Sequence, residues 1–80
     1  MWFKVYETDN YSGVSEELYE KCIKKFIHKS EFIKESYREY YKVSVFLETP
    51  QDLIDFIIDC GSKIVVNKNK EIEIYNDYRE

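Results

Sequence analysis

Glycine, proline and cysteine are scarce in this sequence, and their scarcity excludes several classes of site. The 80 residues include two glycines, one proline and two cysteines. Gly13 and Gly61 stand too far apart for a GxGxxG or GxxxxGKS/T phosphate-binding loop, and no HExxH or GxSxG motif occurs. The sequence therefore contains no recognised nucleotide loop, metallopeptidase helix or serine-hydrolase nucleophile.

The two cysteines and the apolar runs bear on the compartment. Cys22 and Cys60 have no second pair and no CxxC spacing, so we predict free thiols that pack as small apolar side chains. No apolar run exceeds three residues, so we expect neither a signal peptide nor a transmembrane helix. These expectations together predict a cytoplasmic protein with no membrane partner.

Composition nevertheless indicates a folded chain. Hydrophobic residues make up 44% and aromatic residues 18% of the sequence, which argues against intrinsic disorder. The formal net charge is -4, which opposes nonspecific binding to a polyanion such as duplex DNA. We therefore expect one small domain over residues 1–80 and consider duplex DNA a poor partner.

Four segments have the alternation of β-strands. Trp2 to Glu7 and Tyr40 to Glu48 alternate along their length, with aromatic and β-branched residues prominent in both. Lys63 to Val66 and Glu71 to Tyr75 are shorter β-rich segments, joined by an Asn-containing turn. We therefore predict four strands, the last two forming a hairpin.

Two segments have the periodicity of helices. From Glu16 to Arg38 the apolar residues recur at helical spacing, namely Leu18, Cys22, Phe26, Ile33 and Tyr37. A bend near Ser30 stays open, because polar residues interrupt the stripe there. The second helix begins with Thr49 as N-cap and ends at Gly61, and its predicted buried stripe is Leu53, Ile54, Ile57 and Ile58.

The element order is therefore βαβαββ. We predict an α/β fold of the α+β type: a two-layer sandwich with a four-stranded mixed sheet and two helices on one face. If the first two strands share this sheet, their crossover is expected to be right-handed and parallel. One face of the sheet is then left open.

The open face is the first candidate site. Alternation directs eight apolar residues to the helices: Phe3, Val5, Tyr41, Val43, Val45, Leu47, Ile72 and Ile74. The opposite face then carries five aromatic residues, which we predict to bind a partner: Trp2, Tyr6, Tyr40, Phe46 and Tyr75. The alternative is that the first helix, the loop around Tyr11 or the tail with Tyr78 covers this face.

The second candidate site is acidic. Asp52, Asp55 and Asp59 follow one edge of the second helix, and Glu48 precedes them. We predict that they dock on a basic surface of another protein, because complementary charge speeds encounter and selects the partner. The alternative is the solvated side of an amphipathic helix.

Catalysis is not indicated. His28 is the single histidine, and Cys22 lies six residues before it on a predicted helix, on a different face. One histidine and two distant cysteines do not make a zinc site. We therefore expect no enzyme activity, no cofactor and no metal.

We predict a small acidic protein-binding module that acts stoichiometrically and forms a homodimer through its aromatic sheet face. Its size, charge and lack of catalytic motifs fit a phage-encoded inhibitor of a host nucleic-acid enzyme or antiviral defence complex. Two alternatives stay open. One is a housekeeping regulatory subunit. The other is a single-stranded nucleic-acid platform that stacks bases on the sheet aromatics beside Lys4 and Lys42, although Glu71 and Glu73 on the same face oppose it.

Overall fold

A computed structural model describes residues 1–60 and 63–75. In chain order the elements are β1 (Trp2–Glu7), α1 (Glu16–Lys21), a 3₁₀ turn (Ile23–Lys25), β2 (His28–Lys34), β3 (Glu39–Phe46), α2 (Pro50–Cys60), β4 (Lys63–Val66) and β5 (Glu71–Tyr75). The predicted helix stop at Gly61 and the tail with Tyr78 lie outside the described residues.

The strands form one mixed sheet in the order β2-β3-β1-β5-β4. The central strand, β1, pairs antiparallel with β3 and parallel with β5. The β2–β3 and β4–β5 pairs are antiparallel hairpins at the two edges. The prediction of an α+β fold with a mixed sheet and two helices is confirmed. The four-stranded sheet and the βαβαββ order are wrong, because the sheet has five strands.

The error lies in the first predicted helix. Only Glu16–Lys21 is α-helical, Ile23–Lys25 is a 3₁₀ turn, and His28–Lys34 is strand β2. A backbone ladder to β3 thus overrides the helical spacing of Phe26 and Ile33. The extra strand also reverses the chain, so β1 and β3 are antiparallel and the predicted parallel crossover between them is wrong.

The short α1 is anchored by the loop that precedes it. Ser15 is its N-cap, with its hydroxyl accepting the Leu18 amide N–H at 3.2 Å, and the Ser15 amide donates to the buried Glu7 carboxylate. Val14 exchanges two backbone hydrogen bonds with Tyr41, each 2.8 Å. A Cβ at Gly13 would collide with the Tyr41 backbone, so this close approach requires glycine.

The second helix begins as predicted. The Thr49 hydroxyl accepts the Asp52 amide N–H at 3.2 Å, while the Asp52 carboxylate accepts the amides of Glu48 and Thr49 at 2.9 and 3.1 Å. This reciprocal pair is a capping box with aspartate in the usual glutamate position.

The predicted buried stripe of this helix is wrong for its three isoleucines. Phe56 and Cys60 are the fully buried members of α2, and Leu53 packs against the core. Ile54, Ile57 and Ile58 are exposed at 49%, 40% and 69%. The sheet accepts one side of the helix, and the side centred on Phe56 lies against it.

The core lies between the sheet and the two helices. The eight apolar residues predicted to face the helices all belong to the core or pack against it, so that prediction is confirmed. Tyr19 of α1 stacks on Tyr41 of β3 with ring centroids 4.1 Å apart, and Phe26 packs against Phe56 at 5.1 Å. Both helices therefore cover the same face of the sheet.

The prediction of free thiols is wrong. Cys22, just after α1, and Cys60, the last residue of α2, form a disulfide with their Cα atoms 5.8 Å apart, inside the usual range for such bonds. The break after Lys21 brings Cys22 to the end of α2. The expected cytoplasmic location rested on free thiols, and this pairing removes that ground.

Candidate functional site

The open face is the sheet surface turned away from the helices, and strand register defines it. Directly paired residues share a face, so Trp2 stands beside Phe46, and Ser44 stands between Lys4 and Lys29. Lys42 and Glu31 form the next pair on the same side. On the other side of β1, the open face continues with Glu71, Glu73 and Tyr75 of β5, beside Lys4 and Tyr6.

The aromatic side chains of the open face differ in exposure. Trp2 is 37% exposed, and its ring meets that of Phe46 edge-on, with centroids 5.3 Å apart. The ammonium of Lys29 lies 4.5 Å from the centre of the Trp2 ring. Phe46, Tyr6 and Tyr75 are partly buried. The exposed centre of this aromatic group is therefore Trp2.

Tyr40 is the exception among the five predicted aromatics. It is only 3% exposed, because the β2–β3 turn folds over it. The Arg38 guanidinium lies 4.5 Å from its ring centre, and its hydroxyl donates to Glu35 at 3.0 Å. Hydrogen bonds from Arg38 and then Tyr40 lower the pKa of the Glu35 carboxyl. The β2–β3 turn thus covers this end of the open face, whereas Tyr11 is 79% exposed.

A shallow pocket of about 320 Å³ lies on the open face beside Trp2. Its lining includes three lysines, Lys4, Lys29 and Lys42, with Glu31 as the single carboxylate. We call it the lysine pocket, and the rest of its wall is Ser12, Ser30, Val43 and Ser44. Within residues 1–60 and 63–75, no carboxylate forms an ion pair with any of the three lysines. The local charge is therefore positive, although the whole chain is acidic.

The carboxylates on the β5 side of the open face are held by other side chains. The Asn67 amide donates to Glu71 at 3.0 Å, and the Tyr75 hydroxyl donates to Glu73 at 3.1 Å. This hydrogen bond raises the pKa of the Tyr75 hydroxyl, and burial followed by a bond to the same Glu73 raises that of Tyr6. Glu71 stands beside Lys4 in the register, and within the described residues the two side chains form no ion pair.

The outer side of α2 is the second exposed surface. Ile54, Ile57 and Ile58 are spaced three and four residues apart, so they form one patch, which we call the isoleucine face. The helix contains three aspartates and no lysine or arginine. The acidic stripe predicted from the sequence therefore lies on the same helix as an exposed apolar patch.

The four residues of the acidic stripe have different surroundings. Asp52 is committed to the helix cap, and the amide N–H groups of Glu48 and Thr49 hold the pKa of its carboxyl below its usual range. Asp55 is exposed and accepts the Gln51 side-chain amide at 3.0 Å. Glu48 is exposed and Asp59 partly buried. Three carboxylates are thus left to meet a partner.

Metal binding and catalysis gain no support from the geometry. Among the described residues, no group of three His, Cys, Asp or Glu side chains could hold a metal ion. The two ring nitrogens of His28 contact the Tyr19 hydroxyl at 2.9 Å and the Phe26 carbonyl at 2.8 Å. This histidine is a structural link between α1 and β2.

Comparisons with known proteins identify no relative of this chain. No known family, curated protein or solved structure matches this chain. No helix in the described part of the chain is long and apolar enough to cross a lipid bilayer. The open face and the outer side of α2 are therefore the features that bear on function.

Sequence reasoning missed the isoleucine face and three of the pocket residues. The sequence predicts the isoleucines in the core, and it predicts Lys29, Ser30 and Glu31 on a helix, whereas they lie on strand β2. A signal existed for α2: five of its eleven residues are large and apolar, more than one buried stripe can accommodate. Lys29 lies on the open face only because residues 28–34 form strand β2, which the sequence pattern does not indicate.

Proposed function

We propose that this protein is a stoichiometric protein-binding module whose contact surface is the outer side of α2. The observation that carries the proposal is the isoleucine face, an exposed apolar patch on a capped and disulfide-linked helix. Contiguous exposed apolar patches on small proteins usually mark partner surfaces. A helix with apolar residues three and four positions apart is a common form of such a surface.

The negative charge beside the isoleucine face indicates which kind of partner fits this surface. Asp55 and Asp59 lie along one side of the isoleucine face, Glu48 precedes the helix, and α2 has no basic residue of its own. A second copy presenting the same surface would bring the same negative charge and no basic residue to pair with it. A partner with an apolar centre and a rim of lysine and arginine would instead complement both the shape and the charge. Proteins that bind nucleic acid have such basic surfaces, so we place the partner in that class.

Binding through this surface agrees with the energetics of interfaces. The apolar centre supplies the affinity, while the exposed carboxylates at the rim mainly affect association rate and specificity. The capping box and the disulfide fix the helix before the partner arrives, which lowers the entropy lost on binding. The protein would thus act by occupying a basic surface.

The test is site-specific photo-crosslinking in extracts of the source organism. A photoreactive phenylalanine analogue replaces Ile58, which is 69% exposed, and in a matched control it replaces Tyr37, which is 88% exposed and lies between β2 and β3. We expect a crosslink to one protein from position 58 and none from position 37. The crosslinked segment of that protein should combine apolar residues with Lys or Arg.

The affinity of the partner so identified is then measured with serine variants. Ile54→Ser and Ile58→Ser should each weaken binding by about tenfold or more, and Tyr37→Ser should leave it unchanged. Equal crosslinking from both positions would contradict the proposal. So would a crosslinked segment that is acidic, or a crosslink that joins two copies of this chain.

A further inference from the structure

The lysine pocket and Trp2 form a site that the proposed function does not use. Lys4 follows Trp2 at the next position on the same face of β1, and Lys29 contacts the Trp2 ring while it also lines the pocket. Cationic and aromatic groups are thus adjacent on one face of the sheet. We propose that the open face binds single-stranded nucleic acid, with its phosphates in the lysine pocket and a base against Trp2.

The charge of the lysine pocket comes from three ammonium groups and one carboxylate. Lys4, Lys29 and Lys42 line the same pocket, where Glu31 is the opposing charge. These lysines repel one another, and an anionic ligand relieves that repulsion while it binds. Glu71 and Glu73 of β5 keep their negative charge, but their carboxylates accept hydrogen bonds from Asn67 and Tyr75 and do not line the pocket.

Trp2 lies next to the lysine pocket on the same face of the sheet. Rows of side chains on one face of a strand repeat about every 7 Å, so the Trp2–Phe46 row lies about one such step from the Lys29–Ser44–Lys4 row. Exposed aromatic rings on a sheet stack on bases while nearby cations hold the backbone. Trp2 keeps 37% of its surface exposed although Lys29 and Phe46 contact it.

The location of the site within a sheet favours a single strand over a duplex. Duplex grooves are read by an inserted helix or a two-stranded ribbon, and the lysine pocket lies within a sheet. An unpaired strand can lay its bases and phosphates along such a surface. This proposal is independent of the α2 partner, because α2 packs on the opposite side of the sheet.

The experiment uses Trp2 as its reporter, since it is the only tryptophan in the chain. The intact protein is titrated at low salt with single-stranded oligodeoxythymidylate and oligouridylate of 15 nucleotides, and Trp2 fluorescence is recorded. We expect quenching that saturates, and an affinity that falls steeply as salt is added. Oligoglutamate of the same charge serves as the comparison polyanion.

Two double variants of equal charge locate the site. Lys4→Gln with Lys42→Gln removes two pocket lysines, whereas Lys21→Gln with Lys68→Gln removes two exposed lysines elsewhere. The pocket variant should bind at least tenfold more weakly, and its slope of log affinity against log salt should be smaller by about 0.7 per lysine. The control variant should retain the affinity of the unaltered protein, and circular dichroism should show both variants folded.

Four outcomes would overturn the proposal. They are no change in Trp2 fluorescence with either oligonucleotide at low salt, an equal loss of affinity in the two double variants, and oligoglutamate binding as tightly as the oligonucleotides. The fourth is a dimer that buries Trp2, seen by light scattering as twice the 9.8 kDa chain mass with unchanged mass on adding oligonucleotide. The α2 proposal would survive all four.

Discussion

The outer side of α2 and the lysine pocket of the open face are both exposed, yet their local charges are opposite. Asp55 and Asp59 lie along one side of the isoleucine face, and its helix has no basic residue. Lys29 contacts the Trp2 ring and lines the lysine pocket with Lys4 and Lys42, and no described carboxylate forms an ion pair with these lysines. The net charge of -4 is therefore an average over two surfaces that suit different ligands.

This comparison shows how secondary structure separates residues that the sequence mixes. Period-two alternation in β1 and β3 gathers the lysines and aromatics on one side of the sheet. The 3.6-residue period of α2 gathers isoleucines and carboxylates on the far side of the molecule. Neither grouping is visible as a run in the sequence.

The largest expected effect distinguishes the two sides of α2. Phe56→Ala should lower the free energy of unfolding by about 3 to 5 kcal/mol, because Phe56 is fully buried against Phe26. Ile58→Ala should change it by less than about 0.5 kcal/mol, because that side chain is exposed. Urea unfolding followed by circular dichroism measures both, and similar losses would mean that the isoleucine face is covered.

The next effect concerns the disulfide, which constrains the helix side and not the sheet. It closes a loop with a sequence separation of 38 residues, and reduction should lower the free energy of unfolding by about 2 to 4 kcal/mol. Urea midpoints with and without reductant give this loss, and alkylation followed by mass spectrometry counts the thiols. Two free thiols in protein purified without reductant would show that the bond is not formed.

The smallest expected effect is the pH dependence of stability that comes from Asp52 at the start of α2. The pKa of Asp52 is lowered by the amides of Glu48 and Thr49, so its contribution to stability is present above about pH 4 and is lost as the pH falls through the lowered pKa. Asp52→Ala should therefore be less stable than the unaltered protein at neutral pH, with the difference shrinking in acid. Asp55→Ala should show little of either change, because the Asp55 carboxylate accepts the Gln51 side-chain amide and does not cap the helix.

Strand alternation and cap chemistry made much of this fold predictable. Phe3, Val5, Val43 and Val45 were placed on the helix side by their two-residue period alone, and the structure agrees. Thr49 began the second helix as expected, because a side-chain cap depends on local sequence. These features need no knowledge of distant parts of the chain.

The missed features all depend on distant contacts. Residues 28–34 lack a clean alternation because β2 is an edge strand with exposed side chains on both faces, so the helical spacing of Phe26 and Ile33 dominated. The Cys22–Cys60 bond follows from the chain break after Lys21, and spacing alone does not reveal it. The sequence does not indicate which side of α2 is buried, because the helix has large apolar residues both on the side of Phe56 and on the side of Ile54 and Ile58.

The position of β1 has a consequence for synthesis on the ribosome. Trp2–Glu7 is synthesised before β3 and β5, yet it is the central strand and pairs with both. At about 5 to 20 residues per second, roughly 3 to 14 s pass between the synthesis of β1 and the completion of Glu71–Tyr75. During that interval the backbone edge of β1 that pairs with β5 is without its partner, so the sheet is completed only after β5 has been synthesised.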